Sequence, residues 1–439
     1  MCEPDPVTPA PDGGAWGDLL DDLEQLLQRE CCADSRLFVA FSGGPDSTVL
    51  LALAAARGPR RRLRAIHVDH GWHADAPAWG EHCRQAARRL GVACDVVRVD
   101  SRPRGGEGAE AAARTARYEA LSAALAPGDI LLTGHHADDQ AETVLFGLLR
   151  GGGVRALAGM PTARALGHGR HLRPLLGRSR ACIRQVLEQR GLPALDDPAN
   201  RDVDHDRVFL REQVLPLLRQ RWPAVDRGLV RNGELAADAM VIEDALAAID
   251  YTRCQARLPA TLDCAALLRL PAARQRALVR WWLRREGLPV PPAARLASAL
   301  AQIATARTGR NPCIAWPGGE LRRWRGRVWA LAPRPEPVPG AVFHWPDMRQ
   351  PLDLPERRLP AELLADVVAD PDTARVTLER RQRGERVQVK GESRPRALSE
   401  LLRDIDVPPW ERPDTLLVRH AGRLIAVIAG DRVIPVEGD

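Results

Sequence analysis

The chain has 439 residues, 45% of them hydrophobic, and carries a formal net charge of +6 with a sequence pI near 9.0. This length exceeds what one compact core accommodates, so we expect two or three domains. The sequence lacks an apolar run of about 18 residues and has an acidic N-terminus, so we expect a cytoplasmic protein without a membrane span or secretory signal. Nine scattered cysteines without a Cys-x-x-Cys pair argue against a disulfide framework, a zinc ribbon or an iron–sulfur site.

The charge is unevenly distributed along the chain. Residues 1–34 contain nine acidic residues and one arginine, so the remainder is more basic than the total. A basic surface favours polyanion binding, although the same balance is typical of an ordinary solvated surface. Lys390 is the only lysine, which excludes a Walker A loop and argues against covalent catalysis by lysine.

The first predicted unit is a strand over 37–41, a glycine-rich loop and a helix over 47–57. The loop residues are Ser42, Gly43, Gly44, Pro45, Asp46 and Ser47. Adjacent glycines let a polyanion approach backbone N–H groups, and proline suits the first turn of a helix, whose free amides and dipole attract anions. The hydroxyls of Ser42, Ser47 and Thr48 add donors. Asp46 fits such a loop when it holds a divalent cation shared with phosphates, so Mg²⁺ is implied. An ordinary Gly-Gly turn is the alternative.

Three further strand–helix pairs follow this unit. Strands are predicted over 64–68, 95–99 and 130–133, and helices over 77–90, 109–125 and 138–149. Alternation of this kind predicts an α/β fold with a parallel sheet, in which ligands bind beyond the carboxyl ends of the strands. We therefore expect four loop segments to converge in one cleft, at 42–47, 67–71, 101–110 and 134–142.

Changes in composition suggest five segments. These are an acidic N-terminal extension (1–34), a catalytic domain (35–222), a helical middle domain (223–332), a proline-rich linker (333–359) and a small α+β domain with one helix near 397–405 (360–439).

The segment after the fourth strand is rich in acidic residues. Asp138 is placed to cap the helix, while Asp139 and Glu142 lie three residues apart and share a face. A single acid in a first helical turn often only complements the helix dipole. Two carboxylates at the ligand-binding end of a sheet are suited to binding an amine, taking its proton or helping to hold a metal.

Two basic motifs also lie near the expected cleft. Arg114 and Arg117 lie three residues apart on one helical face, which suits a phosphate or an RNA backbone, with an exposed salt-bridge ladder as the alternative. His67, His70 and His73 lie at and just after the end of the second strand, where ring nitrogens more commonly serve ligand or loop contacts than a metal.

The loop at 42–47 resembles the Ser-Gly-Gly-x-Asp-Ser loop of the N-type ATP pyrophosphatases (PP-loop enzymes). Further motifs follow in order: His-Val-Asp-His-Gly at 67–71, Glu-x-x-x-Arg-x-x-Arg-Tyr at 110–118, Gly-His-His-x-Asp-Asp-Gln-x-Glu-Thr at 134–143, Arg-Gly-x-Gly at 150–153 and Arg-Pro-Leu-Leu at 173–176. Together they closely resemble the tRNA(Ile)-lysidine synthetase family over the first 220 residues, with weaker resemblance through the later domains. Val208 and Pro395-Arg396 depart from the family pattern, which leaves RNA contacts at those positions in doubt.

This resemblance implies a ligase that forms a carbon–nitrogen bond. In the family, ATP adenylates ring position 2 of the wobble cytidine of tRNA(Ile) bearing a CAU anticodon, and free L-lysine then displaces AMP to give lysidine. Ser42 to Ser47 would hold ATP, Asp46 and Asp139 would hold Mg²⁺, and Arg114 and Arg117 would neutralise phosphate charge or position the RNA.

Within the same resemblance, Glu142 or Asp139 would deprotonate lysine. The later domains would read the tRNA, and a homodimer is compatible with the family. A PP-loop tRNA thiolase is the nearest alternative enzyme, but it would ordinarily need a cysteine pair. An inactive RNA-binding module is the alternative from another class, and the retained Asp46, Asp139 and Glu142 argue against it.

Overall fold

The computed structural model describes residues 14–32, 34–57, 62–71, 76–103, 108–195, 206–256, 258, 260–307, 310–334, 336–355, 357–368 and 376–437, with only the backbone described at 109 and 110. It divides into two compact units, Met1–Glu243 and Asp244–Asp439. The division falls inside one long helix.

The first unit is an α/β domain. Its helices are α1 (Ala15–Glu30), α2 (Pro45–Arg57), α3 (Ala76–Arg89), α4 (Ala109–Ala123), α5 (Ala137–Leu149), α6 (Val154–Leu157), α7 (Arg180–Gln189), α8 (Asp206–Phe209), α9 (Leu215–Arg221) and the start of α10 (Val225–Cys254). Its strands are β1 (Leu37–Ala40), β2 (Leu63–Asp69), β3 (Ala93–Arg98), β4 (Ile130–Leu132), β5 (Ala163–Leu166) and β6 (Gly169–Leu172).

The six strands form one sheet in the order β3-β2-β1-β4-β6-β5. Every neighbouring pair from β3 to β6 is parallel, which confirms the predicted parallel sheet, and β5 is added antiparallel to β6. The chain reverses its direction of travel across the sheet between β1 and β4. That reversal opens a crevice beyond the carboxyl ends of these two strands.

The core explains why the central elements form where they do. All four residues of β1 are buried, as in a strand covered on both faces by helices. Helix α1 contributes the buried side chains of Leu19, Leu20, Leu23 and Leu26 to the same core as β1 and α2. The acidic segment predicted as an extension thus contains a helix that packs into the first unit.

The second unit begins with a part that is mostly helical. It contains β7 (Thr261–Asp263), α11 (Cys264–Arg269), α12 (Ala272–Arg285), α13 (Ala293–Thr305), β8 (Cys313–Trp316), β9 (Gly319–Trp324) and β10 (Arg327–Leu331). The predicted helical pattern is present, and an antiparallel sheet in the order β7-β10-β9-β8 packs against it around the buried Trp282.

The C-terminal part is rich in sheet. It contains β11 (Val342–Trp345), β12 (Leu352–Asp353), β13 (Arg358–Leu359), β14 (Val376–Arg380), β15 (Arg386–Val389), β16 (Arg396–Ala397), α14 (Leu398–Asp404), β17 (Leu416–His420), β18 (Arg423–Ala429) and β19 (Arg432–Glu437). Helix α14 matches the helix predicted near 397–405. Strand β11 pairs with β14, so the C-terminal sheet begins inside the segment predicted as a linker.

Two observations bear on the expectations from composition. Among the described residues, no helix combines the length and hydrophobicity that crossing a membrane requires. The eight cysteines in the described part of the chain are all free thiols.

Candidate active site

The loop between β1 and α2 is a tight turn held by its own hydroxyl groups. Gly43 has a φ of +83°, and a Cβ atom there would lie 2.9 Å from a leucine side chain, so the position requires glycine. The Thr48 hydroxyl donates to the carbonyl of Gly44 at 2.9 Å, and the hydroxyls of Ser42 and Ser47 lie 3.1 Å apart. Thr48 is buried and uses its hydroxyl within the loop, as Ser47 does, so donation of these hydroxyls to a ligand stays a prediction.

Helix α2 begins at Pro45, directly after this loop. Proline has no N–H group, and its fixed φ suits the first position of a helix. The remaining first-turn N–H groups have no partner within the helix, and the positive end of the helix dipole lies on the same side. The loop therefore provides backbone donors and a favourable field for an anion, as the sequence predicted.

Residues 42–47, which include the first residues of α2, are called the anion cradle below. The loop after β4 packs directly against it. A Cβ atom at Gly134 would lie 2.9 Å from both the carbonyl carbon and the carbonyl oxygen of Asp46. Only a hydrogen atom fits at this point, so glycine at position 134 lets two separate segments of the chain meet. The predicted convergence of segments 42–47 and 134–142 is confirmed by this contact.

His136 joins the acidic residues of the two segments. Its Nε2 lies 3.7 Å from Oδ2 of Asp46 and 3.6 Å from Oδ2 of Asp139. The backbone N–H of Asp139 donates to His136 Nδ1 at 3.4 Å, so a neutral ring carries its proton on Nε2, the nitrogen nearest both carboxylates. Sequence reasoning quoted this histidine within a motif but did not assign it to the site.

The carboxylate of Asp46 is poorly satisfied. Its Oδ1 is buried and has no hydrogen-bond partner among the described residues, and burial raises the pKa of this carboxyl, with the charge of Asp139 adding to the rise and His136 opposing it. A buried carboxylate oxygen without a partner, beside a second carboxylate, fits a divalent cation that completes its coordination with phosphate oxygens and water. Among the described residues, no group of three or more potential ligands is clustered closely enough to hold a metal alone.

Asp138 has a different role from the one the sequence suggested. Helix α5 begins at Ala137 with His136 as its N-cap, and Asp139 completes a capping box by accepting from the His136 N–H at 3.0 Å. Asp138 instead accepts from the backbone N–H of Arg180 at 2.9 Å and from Arg219 at 3.2 Å. The predicted cap at Asp138 is therefore wrong, and its carboxylate ties α5 to later helices.

Glu142 is buried one turn further along α5 and is paired with Arg207. Arg207 Nη1 donates to Glu142 Oε1 at 3.2 Å, and its guanidinium lies 5.5 Å from the centre of the Phe146 ring. Burial raises the pKa of Glu142, Arg207 opposes that rise, and Asp139 adds to it. Sequence analysis did not assign Arg207 to the site, because one arginine on a short helix carries no pairing signal.

Arg114 and Arg117 lie on α4. The guanidinium of Arg114 lies 5.1 Å from the centre of the Tyr118 ring, and burial together with Arg114 lowers the pKa of Arg117. Neither arginine forms an ion pair with a carboxylate in the described part of the chain. The side chain of Glu110, one helical turn before Arg114, lies outside the described residues, so the salt-bridge ladder remains the alternative.

His67, near the carboxyl end of β2, supports the loop. The Nδ1–H of His67 donates to the carbonyl of Phe41 at 2.9 Å, immediately before the anion cradle, and burial lowers the pKa of this ring. Burial and Arg117 also lower the pKa of His70. His73 lies outside the described residues.

Comparison with known proteins identifies the same three parts. Family models match residues 19–218 as a PP-loop domain, 262–329 as a TilS substrate binding domain and 376–431 as a TilS substrate C-terminal domain. The tRNA(Ile)-lysidine synthase of Alkalilimnicola ehrlichii is 45% identical over 396 residues, covering 89% of this chain and 88% of that protein. The chain belongs to the tRNA(Ile)-lysidine synthase family.

Other members of the family match over a similar length. The tRNA(Ile)-lysidine synthase of Methylococcus capsulatus is 41% identical and covers 89% of this chain and 90% of that protein. The tRNA(Ile)-lysidine synthase of Escherichia coli O157:H7 is 35% identical and covers 92% of this chain and 94% of that protein. The resemblance inferred from the motifs is therefore confirmed at the level of the family, with the PP-loop domain as its ATP-utilising part.

Proposed function

We propose that this chain uses ATP to attach free lysine to ring position 2 of cytidine 34 in tRNA(Ile) with a CAU anticodon. The reaction passes through an adenylated cytidine and yields lysidine, AMP and pyrophosphate, which changes the codon read from AUG to AUA. The observation that carries the proposal is the contact between the anion cradle and the acidic start of α5, within a chain that matches lysidine synthases along most of its length.

The cradle is proposed to hold the triphosphate of ATP. Ser42 to Ser47 offer backbone and hydroxyl donors, and the N-terminus of α2 favours negative charge there. Asp46 and Asp139 are the residues that would hold Mg²⁺, which when bound would neutralise charge on the phosphates. The unpartnered Asp46 Oδ1 supports this assignment.

Glu142 is proposed to accept a proton from the incoming lysine, with Asp139 as the alternative base. The side chain of free lysine has a pKa near 10.4, so forming its neutral amine at pH 7 costs about 4.6 kcal/mol. A carboxylate positioned at the amine lowers this cost by removing the proton as the bond forms. Arg207 holds Glu142 in place and favours its ionised form, which is the form that acts as a base.

Arg114 and Arg117 are proposed to face the phosphates of ATP or of the RNA. Both lack a carboxylate partner among the described residues, and Arg117 lies close enough to His67 and His135 to lower the pKa of each ring. His67 lies near the carboxyl end of β2 and His135 follows β4, and these strands flank β1 in the sheet, which supports a position for Arg117 at the ligand-binding edge. A guanidinium there would oppose the charge that develops on a phosphate.

The remaining assignments follow from the family. The middle and C-terminal parts are proposed to bind the tRNA, the protein to act in the cytoplasm, and a homodimer to be its assembly. The overall basic charge of +6 supports binding to RNA.

The decisive experiment is mass analysis of the wobble base. The protein is incubated with tRNA(Ile) bearing CAU, ATP, Mg²⁺ and isotopically labelled lysine, and the modified nucleoside is expected to contain the label. Pyrophosphate release without lysine in the product would contradict the proposal. Dependence on a sulfur donor in place of lysine would indicate a thiolase. A Glu142→Gln variant that transfers lysine normally from a preformed adenylate would exclude Glu142 as the base.

A further inference from the structure

His135 lies three residues after the end of β4, in the loop that packs against the anion cradle, and has been given no role above. Its Nδ1 lies 2.7 Å from the hydroxyl of Thr133, and that hydroxyl lies 2.8 Å from Nε2 of His171. Two arginines complete the chain of contacts at its far end. Arg164 Nε lies 3.2 Å and Arg173 Nη2 lies 3.3 Å from Nδ1 of His171.

The two arginines fix the direction of each hydrogen bond in the series that runs through His171 and Thr133 to His135. A guanidinium has donors and no acceptor, so Nδ1 of His171 must accept from Arg164 and Arg173. A neutral imidazole that accepts at Nδ1 carries its proton on Nε2, and His171 therefore donates to the hydroxyl of Thr133. Burial, with Arg173 and Arg164 adding to its effect, lowers the pKa of His171 to about 3, which keeps this ring neutral.

The hydroxyl of Thr133 donates in turn to His135. Its side chain is 2% exposed, and the two imidazoles are its side-chain hydrogen-bond partners among the described residues. Since its oxygen already accepts from His171, its single hydroxyl hydrogen is satisfied only by donating to Nδ1 of His135. His135 is thereby fixed with its proton on Nε2.

The proton-bearing Nε2 of His135 is available to a ligand. His135 is partly exposed, and its Nε2 has no hydrogen-bond partner in the described part of the chain. Burial, with Arg173 and Arg117 adding to its effect, lowers the pKa of His135 to about 2, so the ring stays neutral at physiological pH. Arg114 also contributes positive charge around it, and these surroundings favour an acceptor atom that carries negative charge.

We propose that His135 is a substrate-positioning residue whose Nε2–H, held in one tautomer by the Arg164/Arg173–His171–Thr133 chain, donates to an anionic oxygen of a substrate. This inference rests on the proposed function, which supplies two small-molecule sources of such an oxygen. One is a phosphoryl group of ATP or the adenylate, and the other is the α-carboxylate of lysine. His135 does not act as a general base here, because its free nitrogen already bears the proton.

The tautomer is tested directly by ¹⁵N NMR of the histidine rings in the full-length protein. Wild-type His135 and His171 are expected to show the Nε2–H tautomer from pH 6 to 8, with the exposed His168, which takes no part in this set of hydrogen bonds, as an internal reference for the ring signals. A Thr133→Val variant keeps the shape but removes the hydroxyl, and His135 should then populate both tautomers. An Nδ1–H or doubly protonated His135 in the wild type at pH 7 would overturn the proposal.

Kinetics distinguish the two sources of the oxygen. His135→Ala removes the donor, and His135→Gln retains an N–H near the same position and should restore part of the loss. For a phosphoryl oxygen, pyrophosphate release by the alanine variant falls about 100-fold while the KM for lysine is unchanged. For the carboxylate, pyrophosphate release is unchanged, the KM for lysine rises about tenfold or more, and lysine loses its advantage over 1,5-diaminopentane.

Unchanged kinetics in both steps for a folded His135→Ala protein would overturn the proposal. An equal loss for the alanine and glutamine variants would do the same, since it would indicate a packing role. Absence of lysidine formation by the wild type would refute the proposed function alone, because the NMR result does not depend on turnover.

Discussion

Arg207 Nη1 lies 3.2 Å from Glu142 Oε1, and this ion pair connects the carboxylate on α5 to a residue 65 positions further along the chain. The Glu142 side chain is 6% exposed, so its charge depends on this partner. Burial and the charges of Arg207, Asp139 and Arg211 together set the protonation of Glu142, so removing Arg207 should move the pH profile of a step in which Glu142 is the base.

Replacing Arg207 with methionine should shift the acid limb of lysine transfer to higher pH. Burial already raises the pKa of Glu142, and loss of the guanidinium, which opposes that rise, raises it further. The base is active when ionised, so activity is lost at a higher pH as the pH falls. The measurement is single-turnover transfer from a preformed adenylate between pH 5 and 9.

Arg150→Met is the matched control for this prediction. Arg150 also contacts the ring of Phe146, at 5.1 Å, and among the described residues it forms neither a hydrogen bond nor an ion pair with Glu142. The acid limb of lysine transfer by the Arg150→Met protein should lie at the same pH as in the wild type. An unmoved limb in the Arg207→Met protein would show that Glu142 is not the group titrating in this step.

Asp46→Asn should separate activity from stability. Without the carboxylate, Mg²⁺-dependent pyrophosphate release should fall by about 100-fold or more, because the cation loses a charged ligand. Burial raises the pKa of Asp46, so the folded protein disfavours the ionised form and loses stability as pH rises through the raised pKa. Above that pH the neutral variant should unfold at an equal or higher temperature than the wild type. A lower Tm there would contradict this account of the buried charge.

Gly134→Ala should disturb the anion cradle although residue 134 itself bears no functional group. The new methyl group would lie 2.9 Å from the Asp46 carbonyl, and both neighbours are backbone, so one segment must move. A cost of about 1–3 kcal/mol in unfolding free energy is expected, together with weaker ATP binding. Chemical denaturation and the KM for ATP measure the two effects.

Gly228→Ala provides the comparison for that substitution. A Cβ atom at this position in helix α10 meets nothing within 4 Å. Alanine in an open helical position should be neutral or stabilise the protein by up to about 1 kcal/mol. Equal effects of the two substitutions would argue that contact with Asp46 is not what requires glycine at position 134.

Arg114→Ser tests which phosphate this exposed arginine meets. If it contacts the RNA backbone, tRNA binding weakens and the slope of log Kd against log salt concentration decreases by about one. If it contacts ATP, the KM for ATP rises and the salt slope for tRNA is unchanged. Filter binding and pyrophosphate release distinguish these outcomes, and no change in either would remove Arg114 from the site.

The sequence predicts the catalytic domain well because its signals are local. Strand–helix alternation and the glycine-rich loop place β1 to β4 and α2 to α5 within a few residues of their observed bounds. The partnership of Glu142 with Arg207 could not be read in the same way, since it depends on the path of the chain through later helices. The cap of α5 was misassigned because a histidine side chain took the position that aspartate usually occupies.

The later domains were less predictable for a related reason. Short antiparallel strands such as β8 and β9 carry weak periodicity, and their pairing is settled by contacts with the helices around Trp282. The prolines near residue 335 suggested a linker, yet β11 begins only a few residues later.

The packing of α1 has a practical meaning for anyone trimming or tagging this protein. Trp16, Leu19 and Leu23 cover a hydrophobic surface on one side of the nucleotide-binding fold. Deleting the first 30 residues would expose that hydrophobic surface to solvent. Such a truncated protein should aggregate and accumulate in inclusion bodies, even though its catalytic loops are unchanged.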